Sequence, residues 1–95
     1  MKLLNLKVLD KFLRKHQTAR RELEIWKALI ERAQWVSSGA IQADFPKVRW
    51  ISQNRLVFRL GHRWRIDVQI IFDIQAIFIK RIGTHEEYNK WDFNN

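Results

Sequence analysis

The chain contains no cysteine, one proline and three glycines among its 95 residues. Without cysteine, disulfides and thiolate metal sites are excluded, which suits a reducing cytoplasm. No glycine-rich phosphate loop and no serine-nucleophile motif is present, and the three histidines show no short metal-binding spacing. No metal or other cofactor is therefore expected. Long apolar runs are missing too: Ile70-Ile71-Phe72 is far too short to span a bilayer. The opening Met1-Lys2-Leu3-Leu4 is interrupted by Asn5, Lys7, Asp10 and Lys11 before a signal-peptide core could form. A soluble, cytoplasmic protein without a membrane partner is the expectation.

What the chain does contain is apolar mass and positive charge. It is 46% hydrophobic, enough for a real core in one domain spanning residues 1–95. Eighteen basic residues against ten acidic ones give a net charge of +8. Such an excess on a small domain points to a polyanionic partner: nucleic acid, the ribosome or an acidic protein. Basic surfaces can also serve only solubility, but here much of the charge falls on predicted strands.

Leu6, Leu9 and Leu13, with Val8 and Phe12, recur at helical spacing to about residue 16, after a short strand at residues 2–4 and with Asn5 as candidate N-cap. Thr18 is placed to cap a second helix over residues 18–34, whose buried stripe is Leu23, Trp26, Ile30 and Ala33. A short helix over 40–44 stops before Pro46. The period then becomes two, predicting strands over 48–52, 55–60, 63–72 and 76–82, joined by short polar turns and hence antiparallel. Thr84 followed by Glu87 predicts a capping box at the start of a last helix. The predicted fold class is α+β: two N-terminal helices packed on one face of a twisted antiparallel sheet of four to five strands, with a short C-terminal helix.

In the longest strand, Trp64, Ile66, Val68, Ile70 and Phe72 share the face expected against the helices. Arg63, Arg65, Asp67 and Gln69 share the other, expected to be open and basic. Arg65 and Lys80 are candidate phosphate contacts, Lys80 because it alternates with the hydrophobes Phe78 and Ile82. Arg55, and His62 with Arg63 at a hairpin tip, are further candidates; each could equally be an exposed cation that protects the sheet from aggregation. His85 and Tyr88 stand three apart at a helix start and so share a face. Histidines titrate near neutral pH and a phenol can donate or accept, so the pair could move protons; it could also merely pack and bind a turn carbonyl. Trp50, Trp91 and Phe93 are candidates for base stacking, with tail anchoring the alternative for the last two. His16 suits a helix C-terminus without any function.

Several stretches carry a family likeness: the helix ending Lys15-His16, Ala43-Asp44-Phe45-Pro46, Asn54-Arg55-Leu56-Val57-Phe58, Trp64-Arg65, Phe78-Ile79-Lys80 and above all Gly83-Thr84-His85-Glu86-Glu87-Tyr88. In this order they resemble the HigB family of bacterial toxins, mRNA-cleaving members of the wider RelE/ParE-like superfamily. The likeness covers nearly the whole chain. It departs from the family pattern at Asn89, where aspartate is usual, at Arg59, where asparagine is common, and at Lys80, often arginine. The resemblance implies a RelE-like fold and a toxin that cleaves translated mRNA on the ribosome without metal, touching ribosomal RNA and held in check by a helix-turn-helix antitoxin. It further implies that Arg65, Lys80, His85 and Tyr88 are catalytic and that Arg55, Arg59, His62 and Arg63 contact RNA. The superfamily also offers a gyrase-poisoning mode, and a basic module that blocks the ribosome without cutting is a third possibility.

Overall fold

A computed structural model describes residues 1–94. The chain runs β1 (Lys2–Leu4), α1 (Lys7–Lys15), α2 (Arg20–Arg32), α3 (Ser38–Asp44), β2 (Arg49–Ser52), β3 (Arg55–Leu60), β4 (Trp64–Ile71), β5 (Ala76–Thr84) and α4 (His85–Tyr88). The strands form one five-stranded sheet in the order β1-β5-β4-β3-β2. Neighbours β2 to β5 are antiparallel as their short turns dictate, but β1 joins β5 in parallel, so the sheet is mixed rather than wholly antiparallel. A parallel partner requires a long crossover, which α1 to β4 supply.

The helical periodicity predicts most of the buried stripes, but Leu6 is 39% exposed and Ala33 lies just past the end of α2 in extended backbone. Leu9, Phe12 and Leu13 of α1 and Leu23, Trp26 and Ile30 of α2 pack on Phe58, Ile66, Val68, Ile70, Ile77 and Ile79 of the sheet. Burying each such side chain contributes about 1.5–3 kcal/mol. Trp26 meets Phe58 edge-on with ring centroids 5.4 Å apart. Trp64 is buried in this core, as its register requires.

The caps differ from expectation at three helices. Asn5 does not cap α1; it takes a left-handed φ of 72° and its Nδ2 donates to the Ile79 carbonyl, tying the exit of β1 to β5. Thr18 lies in a 3₁₀ turn, Gln17–Ala19, and α2 starts at Arg20 without a side-chain cap. Ser37 caps α3 two residues earlier than the pattern suggested, accepting from the Ala40 amide. Phe72 likewise leaves the strand for a 3₁₀ turn ending at Gln75, whose φ is 51°.

The second face of the sheet departs most from the sequence reading. Instead of lying open, Asp67 is 0% exposed and Arg65 7%. The residues after α4 fold back over this face, with Trp91 and Phe93 packed on the guanidinium of Arg81 at 4.5 and 5.0 Å from their ring centroids. Gly83 permits that approach, because a Cβ there would sit 2.8 Å from the Trp91 ring. Beneath this cover, the Asp67 carboxylate accepts from Arg55 Nε and Nη2 at 3.1 and 2.8 Å and from Arg81 Nε at 2.9 Å. The register explains the convergence, since Arg81 stands directly opposite Asp67 and Arg55 diagonally across.

Removing one partner of a buried pair leaves the others desolvated and uncompensated. Asp67→Ala is expected to lower stability by about 3 kcal/mol, the low end for a buried pair because both arginines keep some contact with water. A urea melt measures this as a shift in midpoint at constant slope. A loss under about 1 kcal/mol would reduce the cluster to the worth of a surface bridge.

Candidate active site

One row of the sheet explains how the charged groups meet. Arg49 of β2 stands opposite Val57 of β3, Val57 opposite Asp67, and Asp67 opposite Arg81. Cross-strand partners project to the same side, so Arg49, Asp67 and Arg81 belong to one face. The adjacent row sets Arg59 opposite Arg65 and Arg65 opposite Gly83. Like charges directly opposite on neighbouring strands disfavour one another.

Helix α4 brings the titratable groups to this face. Thr84 Oγ1 accepts from the Glu87 amide and Glu87 Oε1 accepts from the Thr84 amide, so the predicted capping box is complete. The His85 amide donates to the Arg63 carbonyl at 2.8 Å, which fixes the helix start against the end of the β3–β4 turn. His85 and Tyr88 do share a face, their rings 6.2 Å apart. The Tyr88 hydroxyl accepts from Arg49 Nη1 at 2.8 Å. The Arg65 guanidinium lies 5.6 Å from the Tyr88 ring centroid.

Arg65 is anchored from behind. Its Nη1 donates to the carbonyls of Trp64, His62 and, more weakly, Gly61 at 2.9, 3.2 and 3.4 Å. Burial, and then the charge of Arg59, lower its affinity for its proton, while Tyr88 opposes this. An arginine stays charged at neutral pH under such perturbation, so the site keeps a rigid cation with little solvation of its own. A cation so held is a strong electrostatic partner for an incoming anion, because water no longer competes for it.

Thus Arg65, His85 and Tyr88 come together with Arg49, which sequence reasoning passed over. Alternation over β2 would place Arg49 on the face away from Trp50, but only the hairpin register sets it in the row that reaches Tyr88. Arg59 lies exposed beside His62, its Nη2 3.2 Å from the imidazole Nδ1. Arg63 covers the Trp64 indole at 5.3 Å. Arg55, expected to meet RNA, is engaged with the Asp67 carboxylate, which raises its affinity for its proton.

Lys80 lies where the ladder between β4 and β5 is irregular. The β4–β5 ladder shifts between Asp67 and Val68, whose partners are Arg81 and Ile79, leaving Lys80 as the extra residue of a bulge. Phe78 and Ile82 consequently lie on opposite faces, opposite Gln69 and Ile66, and the simple alternation assumed for Lys80 does not hold. Trp50 is half-buried against the core and its Nε1 donates to Gln42 Oε1 at 2.7 Å. Trp91 and Phe93 anchor the tail.

The model of the HigB toxin family, described as the RelE-like toxic component of a toxin-antitoxin system, matches residues 19–91. The chain belongs to the HigB toxin family. No curated protein sequence matches it significantly. The matched span runs from just before α2 to Trp91 and so takes in the sheet rows, the capping box and Tyr88 of this HigB-family chain. A toxin of such a system has a cognate antitoxin as its partner. Among the described residues, no helix is long and apolar enough to cross a membrane.

The capping box gives this HigB-family site a defined acid response. The Thr84 amide, aided by the Thr84 hydroxyl and the charges of His16 and Lys15, holds the Glu87 carboxyl below its ordinary value against the opposing effect of desolvation. A lowered folded value means the stabilisation is present above the unfolded value of about 4.3 and is lost as pH falls through the folded one. Hydrogen exchange at the Thr84 amide is expected to show protection that disappears over that acid range. In Glu87→Gln, residual protection should no longer vary with pH there.

Proposed function

We propose that this HigB-family toxin is a ribosome-dependent endoribonuclease that cleaves translated mRNA. The observation that carries the reading is the convergence of His85 and Tyr88 with two arginines, Arg49 and Arg65, at one end of a covered sheet face. In the proposed reaction the RNA's own 2′-hydroxyl attacks the adjacent phosphorus in line, and the bond from phosphorus to the 5′-oxygen breaks. The 2′ proton passes to Tyr88 or is directed by it, and His85 supplies a proton to the departing 5′-oxygen. A cyclic phosphate and a 5′-hydroxyl result, with no metal required. Arg65, fixed by three carbonyls, and Arg49, which holds the Tyr88 hydroxyl, stabilise the charge gathering on the non-bridging oxygens. Arg59 and Arg63 extend the cationic surface for flanking phosphates and ribosomal RNA.

The partner in this reading is a small helix-turn-helix antitoxin whose acidic residues answer the net charge of +8. The cytoplasm, where translated message is found, is the proposed site of action.

Positioned proton transfer contributes about 10²–10⁴-fold to such reactions. His85→Ala and Tyr88→Phe are therefore expected to cut mRNA cleavage by about that factor while the protein stays folded. Sequencing the 5′ ends of cellular mRNA after brief induction should show cuts in register with codons, lost in both variants. Growth arrest that persists in both with message intact would overturn the nuclease reading. Trapped, cleaved DNA would instead indicate gyrase poisoning.

A further inference from the structure

The groove between α1 and β5 gathers Lys11, Lys15 and Lys80, with His16, Arg81 and Glu87 also in its lining. Its volume is about 320 Å³, and Val8, Phe12 and Ile82 supply the apolar part of its walls. Among the described residues, none of the three lysines has a carboxylate within salt-bridge distance. Arg81 is already matched by Asp67 at 2.9 Å. The Glu87 carboxylate, held by the Thr84 amide, faces the charges of Lys15 and His16 and offsets only part of the groove's positive charge. Three exposed ammonium groups in one concavity repel one another and form a focus of positive potential. Lys80 reaches it because it is the extra residue of the β5 bulge, a device that re-aims a side chain.

The groove is linked to the candidate active site by a chain of contacts through the buried Trp64. The His16 ring lies 5.4 Å from the Trp64 ring, Arg63 lies 5.3 Å from the same indole, and the Arg63 carbonyl accepts from the His85 amide. His16, Arg63 and His85 therefore follow one another from the lysines toward the candidate site. The groove's α1 wall lies outside the matched residues 19–91, whereas Lys80 lies within them.

We propose that the groove is a phosphate-binding subsite for single-stranded RNA, holding backbone phosphates of nucleotides that flank the cleaved bond. The inference rests on the nuclease reading above and extends it. Lysines meet phosphates as point charges without reading bases. Phe12 is buried and stacked on His16 with centroids 4.5 Å apart, leaving no open ring face for a base. The subsite consequently grips any sequence, and its contribution is salt-dependent.

The test is binding of an uncleavable 2′-O-methyl RNA twelve-mer, followed by fluorescence anisotropy over a range of salt concentrations. Lys11→Gln/Lys15→Gln/Lys80→Gln changes only exposed side chains. It should weaken binding about 10- to 100-fold at low salt and make the log–log salt slope shallower by about 2, for three contacts on a single strand. Lys7→Gln, an exposed lysine of α1 outside the groove lining, should bind as the unsubstituted protein does. Should His85→Ala still cleave message while the triple variant loses RNA, the subsite stands and the assignment of His85 falls. Affinity and slope unchanged in the triple variant, or no binding by the unsubstituted protein, would overturn the subsite. So would loss of antitoxin retention with RNA binding intact, which would make the groove a protein-docking surface.

Discussion

The Asp67 carboxylate is the point around which the functional half of the molecule is arranged. It is fully buried, and its desolvation is offset only because Arg55 and Arg81 both donate to it. Those two arginines lie on the strands either side of β4, so the cluster ties three strands together on the face away from the helices. It also gives the returning chain a surface to pack on: Trp91 and Phe93 lie over Arg81, and Phe93 over Arg55 and Arg49 as well. Cations over aromatic faces gain attraction once water is excluded, and the rings supply that exclusion. The tail thus packs directly on the arginines of the ion cluster.

From this arrangement the candidate site inherits its rigidity. Tyr88 lies between α4 and the tail, touching Trp91 edge-on at 5.6 Å, so the same cover that seals Asp67 steadies the phenol. Arg49 bridges the two parts, bonded to Tyr88 and stacked near Phe93. Arg65 is held independently by the carbonyls of the β3–β4 turn, where Gly61 takes a φ of 59°. Strand register therefore sets the spacing of the cations, and a one-turn helix sets that of the titratable pair. Elements fixed in this way keep reacting groups aligned without reorganisation when a substrate arrives.

Much of this was legible in the residues. Most of the buried stripes of α1 and α2, the alternation of faces in β4 and the Thr84–Glu87 capping box all rest on local periodicity and short-range hydrogen bonds, and these are as expected. The pairing of His85 with Tyr88 was legible for the same reason. The parallel placement of β1, the burial of Asp67 and the role of Arg49 were not, because each depends on chain segments distant in sequence meeting in space. Lys80 was misread because a bulge shifts the phase of alternation, and a bulge leaves no signature in composition.

By itself, then, the sequence determined the α+β class, the core-facing residues, the basic balance and the closing motif that marks the HigB family. These follow from patterns repeated over a few residues, where backbone geometry alone decides which side chains share a face. The tertiary structure alone decided which cations are committed to the fold and which stay open to a partner. Arg55 and Arg81 answer a buried carboxylate, whereas Lys11, Lys15 and Lys80 meet in a groove where no carboxylate balances all three. Charges of the same type in the sequence differ here because desolvation and pairing are properties of position in space.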